Sequence, residues 1–336
     1  MNLFLVDYPY GSPKIEHMSI RNSFVFSILT MAGMTASNVS TALFAEHKIC
    51  ILGNEVLRET AKPIKQFDVA LKQRAEYMFR VMEATGNGVG LAAPQIGSSE
   101  RLVVAQVKMP SLPKDCPEEQ KEASRKKILE LSRKIILTDH TGKVATFDNI
   151  VQFGRFAFTN PVWEPVTNSK ENCNEGCLSL PGIMAKVPRY KEIVLNYRDL
   201  DGRECKLECD GLLARIIQHE TDHLNGILYV DHISDLCVVG EMSIWEVFPE
   251  LYEQMKALKD EALTKNKVEE SRQEAEQEGR EFKPSEKTFW ISGKNKEKAL
   301  AIIEKIGGED HILDYDTLLP QSETANSAVE AKSEAK

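Results

Sequence analysis

The sequence predicts an α+β fold, with mixed and antiparallel β-strands packed around a central metal-binding α-helix and helical additions at the N- and C-terminal ends. Three observations carry this prediction. Asp210 to Gly226 has apolar residues on two faces at helical spacing. Strand-like runs, "FAFTNPVW", "EIVLNYRDLDG" and "ECKLECDG", precede it, with "DLDG" and "DG" as turn signals. From Asp68 to Thr85, Leu71, Ala75, Met78 and Met82 recur at spacings of four, three and four, the pattern of an amphipathic helix.

The chain begins with residues 1–46, which are unlike the rest. Ser23 to Ala45 carries no charge, follows Arg21 and is broken by Gly33 and by Ser/Thr residues, which makes it a poor membrane span. Three readings compete: a cleaved targeting segment, translation from an upstream start with Met18 or a later Met as the true beginning, and a helix packed on the domain. Residues 47–249 read as the catalytic domain. In it, "KICILG" is a short strand, "EVLRETAKPI" a loop, and Asp68 the N-cap of a helix that stops near Gly86. The glycine-rich "GNGVGLAAPQIG" leads into a strand, "RLVVAQV". Residues 110–146 are polar and resemble a surface insertion with a helical middle, Glu118 to Lys134.

After His232, a helix is expected over roughly Glu241 to Leu263. Residues 250–336 form a charged C-terminal extension. Its "KNKVEESRQEAEQEGREFKPSEK" reads as a solvated helix or linker, and "KALAIIEKIGGEDHILDYDTLLP" is patterned enough to dock on the body. The last residues, "SETANSAVEAKSEAK", are expected to be disordered.

Composition narrows the function class. A net charge of -9 argues against wrapping nucleic acid over a broad surface. Seven cysteines spread over 336 residues do not form a secreted disulfide framework and point to a reducing compartment.

The chemistry sits in "QHETDHLNG". His219 and His223 lie one helical turn apart, so both imidazoles can reach one ion. Glu220 lies about 100° round from His219 and about 60° from His223, at 3.6 residues per turn. It flanks the ion without having to bind it, as a general base acting on metal-bound water would. Candidates for the third ligand are Cys177, Cys173, the pair Cys205 and Cys209, and a downstream carboxylate. A four-thiolate site built from the four cysteines is disfavoured, because strand residues four apart lie about 13 Å from each other. Cys177 stands out through its neighbours: Gly176 permits close backbone approach, and Leu178 offers an N–H beside the ion.

Together "GVGLAAPQ" (Gly88 to Gln95), "EGCLS" (Glu175 to Ser179) and "QHETDHLNG" resemble, in order, the three signature motifs of the peptide deformylase family. The resemblance spans roughly Lys48 to His232 and includes "DGLLARIIQHE" and "VPRY". It implies hydrolysis of the N-formyl group from the starting methionine of new polypeptides. Cys177, His219 and His223 would bind the metal, with Fe(II) usual and nickel, cobalt or zinc as substitutes. Glu220 would act as general base and then acid, and Gln95 and the Leu178 N–H would hold the oxyanion.

The resemblance further implies that Gly90 and its neighbours Gly88, Leu91 and Gly176 pair with the substrate as an added strand. Leu212 and Ile216 are expected to wall the methionine pocket, and Glu175 to fix the local structure. Arg215 departs from the apolar residue of some relatives and is expected at the pocket edge or in solvent. The implied partners are N-formylmethionyl nascent polypeptides, with the C-terminal part as a candidate ribosome contact, and no DNA or membrane span is expected. A bacterial cytoplasm is the expected location, or a eukaryotic organelle if residues 1–46 are a transit peptide. The rival readings are a metalloprotease and an inactive relative that only binds.

Overall fold

The computed structural model describes residues 47–107 except Asn87, 134–146, and 154–318 except Glu278 and Arg280. The readings of residues 1–46, of a helix over residues 118–133 and of a disordered end from residue 322 lie outside the described residues.

In chain order the strands are β1 Lys48–Cys50, β2 Gly90–Ala92, β3 Leu102–Gln106, β4 Ile135–Thr138, β5 Val144–Thr146, β6 Arg155–Pro165 and β7 Lys170–Cys177. They continue with β8 Leu180–Tyr190, β9 Glu192–Arg198, β10 Glu204–Asp210, β11 Leu236–Val239, β12 Thr288–Ile291 and β13 Ile312–Asp314. The helices are α1 Val69–Ala84, α2 Gly211–His223, α3 Ile244–Val247, α4 Pro249–Lys256, α5 Glu261–Gln277 and α6 Lys296–Glu304. One sheet has the order β2-β3-β6-β9-β10-β4-β5, a second β12-β11-β8-β7, and β1 pairs with β13 alone. Every ladder between these strands is antiparallel, and the mixed character is limited to an isolated parallel bridge between Lys62 and Glu100.

Strand β3 explains how the layers stack. Its side chains alternate: Leu102 and Val104 join the cluster containing Leu71, Met78 and Met82 of α1. Val103 and Ala105 join the cluster containing Leu213, Ile216 and Ile217 of α2. A strand buried on both faces needs an apolar run, which "RLVVAQV" supplies. The expected central position of α2 holds, since Leu213, Ala214, Ile216 and Ile217 are all buried.

The starts of α1 and α2 differ in how they are capped. Asp68 caps α1 by accepting from the Leu71 N–H at 3.0 Å. Asp210 occupies the N-cap position of α2 but makes no capping bond to it, because its Oδ1 accepts from the Lys134 N–H at 2.8 Å.

Three regions differ from expectation. Within 110–146, residues 135–146 are not a surface insertion. They form β4 and β5 and extend the large sheet through pairing with β10. The helix expected over Glu241 to Leu263 is broken into α3, α4 and the start of α5. The first break falls at Phe248, whose φ of -121° and ψ of 60° are not helical, and Pro249 opens the next helix at its first turn. The docking piece is a full partner in the fold: its β13 pairs with β1, and Ala299 and Ile303 of α6 lie in the core beneath β8 and β11, while β12, which precedes that piece, pairs with β11. Among the described residues, no helix is long and apolar enough to cross a membrane.

Candidate active site

The site forms where an edge of each sheet approaches α2. β2 is one edge of the large sheet and β7 one edge of the small sheet. The β7–β8 register shifts between Gly176, opposite Met184, and Cys177, opposite Leu180, so the regular ladder is interrupted at the cysteine. Cys177, buried at 6% exposure, thereby meets His219 and His223. The ligand atoms of these three residues lie within 4.8 Å of one another, and Cys177 Sγ is 3.2 Å from His223 Nε2. Cys173 is elsewhere on β7, and Cys205 and Cys209 are on β10; none of them joins this group.

The donors suit a metal ion. A thiolate and two imidazoles are a borderline-soft set with a fourth tetrahedral position open. His219 Nδ1 lies 2.9 Å from Glu175 Oε2, which leaves Nε2 for an ion and fixes the ring. Beside the group is a cavity of about 20 Å³ lined by Gly90, Gln95, Leu178, Ile216 and Glu220 among others. One water needs roughly 10–15 Å³. Buried Glu220 flanks it, with Oε2 unpartnered within the protein. Burial pushes the Glu220 carboxyl up to about 7, although the nearby His219 opposes the shift.

Gln95 sits on a single 3₁₀ turn, Ala93–Ile96, that follows β2. Its Oε1 accepts from the Ala92 N–H at 2.8 Å, which aims Nε2 at Ser179 Oγ (3.2 Å) and Cys177 Sγ (3.5 Å). The Ser179 N–H also points at the Cys177 sulfur, at 3.4 Å. The glycines are sterically required. A Cβ on Gly90 would come within 2.3 Å of Glu220 Oε1 and 2.8 Å of Ile216 Cγ2, and one on Gly88 within 2.8 Å of the Met82 carbonyl.

Other expected residues are placed differently. Ile216 lines the small cavity, but Leu212 does not and packs instead beside the large-sheet core. Leu91 is fully buried in the α1 cluster. Glu175 is fully buried and lies outside the lining, behind His219. Arg215 neither edges a pocket nor reaches solvent. It is buried, its Nη1 bonds Glu175 Oε1 at 2.7 Å and the Val187 carbonyl at 2.9 Å, and its Nη2 bonds the Glu171 carbonyl at 2.7 Å. A buried carboxylate needs counter-charge, and that need draws the guanidinium inward.

The same need accounts for a residue that motif reading did not assign, Arg189 of "VPRY". Arg189 grips Glu175 with two bonds of 3.0 Å and also pairs with Asp222, which in turn accepts from His232 Nε2 at 2.7 Å. Burial alone would raise the Glu175 carboxyl, but His219 and Arg189 hold it well below the usual range. An arginine near the end of a mainly apolar strand was the available signal. Tyr315, whose Oη donates to the Leu178 carbonyl at 3.0 Å, had none.

A model of the polypeptide deformylase family matches residues 46–238. A peptide deformylase from Brucella suis is 32% identical over 188 residues, covering 56% of this chain and 85% of that relative. One from Prochlorococcus marinus is 35% identical over 183 residues, covering 54% and 71%. Among solved structures, the peptide deformylase of Thermotoga maritima has 32% identity and a TM-score of 0.41, covering 55% of this chain and 96% of that one.

Proposed function

Since the chain belongs to the polypeptide deformylase family and so removes the N-formyl group from newly made polypeptides, we propose which of its residues perform that hydrolysis. Cys177, His219 and His223 hold one divalent ion, and the observation that carries this is the convergence of their ligand atoms within 4.8 Å. When bound, the ion supplies a Lewis acid and acidifies a water. Iron(II) is the ion we assign from the family resemblance, with zinc, nickel or cobalt as substitutes for this donor set.

Glu220 is the base. Its carboxylate takes a proton from the water that attacks the formyl carbon. It then delivers that proton to the departing amine nitrogen as the C–N bond breaks, so that formate and a free amino terminus leave. A carboxyl pushed by burial up to about 7 is suited to both halves of that task. The Gln95 amide and the Leu178 N–H are neutral donors for the oxyanion that forms on the formyl oxygen. Gln95 is held ready by its bond to Ala92, so little reorganisation is needed as charge develops.

Two strands that lie at sheet edges among the described residues support the binding mode. An extended peptide laid between Gly90 on β2 and Gly176 on β7 can pair with backbone, which reads no side chain and suits varied nascent sequences. Ile216 and Val89 are then placed to meet the methionine, while Glu175 and Arg215 act by fixing His219. On the same reading the enzyme works where formylated chains are made, in a bacterial cytoplasm or an organelle, and the C-terminal region is a candidate ribosome contact.

Formate release from formyl-Met-Ala-Ser tests the assignment. Chelation abolishes it and iron(II) restores it on this reading. Cleavage of an internal peptide bond without formate would favour a protease, and activity that survives Cys177→Ser at full metal dependence would sink the ligand assignment.

A further inference from the structure

The C-terminal region reaches the residue proposed as an oxyanion donor. Leu178 and Ser179 are the two-residue tip of the β7–β8 hairpin, between the paired Cys177 and Leu180. Neither has the positive φ that two-residue hairpin loops favour. The tip is therefore held less by its own turn preference than by bonds from outside it. Gln95 Nε2 donates to Ser179 Oγ at 3.2 Å, and the Leu52 N–H, just past β1, donates to the Ser179 carbonyl at 2.9 Å. The Leu178 carbonyl accepts from Tyr315 Oη at 3.0 Å. Tyr315 lies beyond residue 238, where the family match ends.

Tyr315 is itself clamped. It directly follows β13, which pairs with β1 from Ile312 opposite Cys50 to Asp314 opposite Lys48. The Tyr315 N–H donates to the His47 carbonyl at 3.0 Å, and His47 Nδ1 lies 2.7 Å from Asp316 Oδ1. Ahead of the strand, the Ile51 N–H donates to the His311 carbonyl at 2.9 Å. The tyrosine ring packs against two core clusters, the one that contains Leu178 with Met78 and Met82, and the one beneath β8. The β1–β13 pair is thus a two-stranded clamp. From it, Leu52 and Tyr315 each deliver a donor to one carbonyl of the hairpin tip.

We propose that Tyr315 is a positioning residue for the hydrolysis: through the Leu178 carbonyl, it fixes the direction of the Leu178 N–H toward the formyl oxygen. The inference rests on the oxyanion role proposed for that N–H. The N–H swings with rotation about the Cys177 ψ and the Leu178 φ. A peptide group anchored on the far side of the Leu178 Cα restricts both rotations. Such restraint matters because donors stabilise an oxyanion best when they are already in place as charge develops. Without the hydroxyl, the Leu178 carbonyl loses its partner and turns toward another, since an unpaired acceptor is costly, and the N–H turns with it. The C-terminal region is on this reading a working part of the active site.

The test compares kcat and KM for formate release from formyl-Met-Ala-Ser by three metal-loaded, full-length variants. Tyr315→Phe removes the hydroxyl and keeps the ring. Its kcat should fall about tenfold, less than the roughly 10²–10³-fold that outright loss of an oxyanion donor costs. Its KM should stay within about twofold, as expected when an interaction made only in the transition state is weakened. Replacing Leu178 by its α-hydroxy acid, which has no N–H, should show the full donor loss. Ile303→Val loosens the same C-terminal region in a core cluster that does not contain Leu178, and should keep the wild-type kcat. Wild-type kcat in Tyr315→Phe, beside a loss in the ester variant, would overturn the positioning role and leave the oxyanion reading intact. Wild-type kcat in both would overturn the oxyanion role of Leu178 as well. Equal losses in Ile303→Val and Tyr315→Phe would mean general loosening and would overturn the specific role of the hydroxyl.

Discussion

Charge is used in opposite ways in the β7–α2 region and in α5. Around β7, Glu175 is fully buried between Arg189 and Arg215, whose side chains are 5% and 7% exposed. In α5, Arg272 pairs with Glu269 at 2.6 Å with about half of each side chain in solvent (53% and 47%). Both are ion pairs of good geometry, yet only the first can hold a structure in place. Charges taken out of water depend on their partners, whereas an exposed pair is replaced by water at little cost. The buried set ends on His219, so its rigidity is passed to a proposed metal ligand.

Breaking the buried set at its centre should have the largest effect. Glu175→Leu takes from two buried guanidiniums the carboxylate they share and should cost about 3–5 kcal/mol in urea unfolding. Glu175→Gln, if folded, should weaken metal affinity by about 10–100-fold, measured by competition with a chelator. Arg215→Met keeps the Arg189–Glu175 pair but orphans the Val187 and Glu171 carbonyls, for about 1–3 kcal/mol. A loss as small as that of an exposed pair would show that Arg215 is a passenger.

An intermediate case sharpens the contrast. Asp231 is partly exposed and pairs with Arg58 at 2.6 Å. Burial raises its carboxyl, but Arg58 and the Leu228 N–H outweigh that and lower it overall. A depressed folded pKa gives stability that is present above the ordinary carboxylate pKa of about 3.9 and lost as pH falls below it. Wild type should therefore melt above Asp231→Asn near neutrality, with the gap closing in acid. A gap that widens in acid would contradict the sign. The smallest effect belongs to Arg272→Ala, which should leave the urea midpoint unchanged in the same unfolding assay.

The two regions also differ in how far they can be read from residues alone. His219, Glu220 and His223 share one helix, so their spacing states their geometry, and the flanking residues of Cys177 mark it out. The expected strands β6, β9 and β10 form, and the β9–β10 turn falls at Gly202 where "DLDG" signals it, whereas the glycine of "DG" opens α2. Arg189 and Glu175 meet only because β7 and β8 fold back in a particular register, which no local pattern encodes. Arg215 shows the same limit: helical position puts it a turn before His219, but burial against Glu175 is decided by the neighbouring strand. Charge alone marks the C-terminal region as an appendage, because its strand pairings depend on partners distant in sequence and Tyr315 bonds a carbonyl 137 residues away.

The central claim is that three residues hold the ion while Glu220 moves the proton. It is tested most directly by measuring bound metal and formate release together in Glu220→Ala. This variant should keep one ion per chain and lose about 10²–10⁴-fold in kcat on formyl-Met-Ala-Ser. Formate release at the wild-type rate by the metal-loaded variant would contradict it.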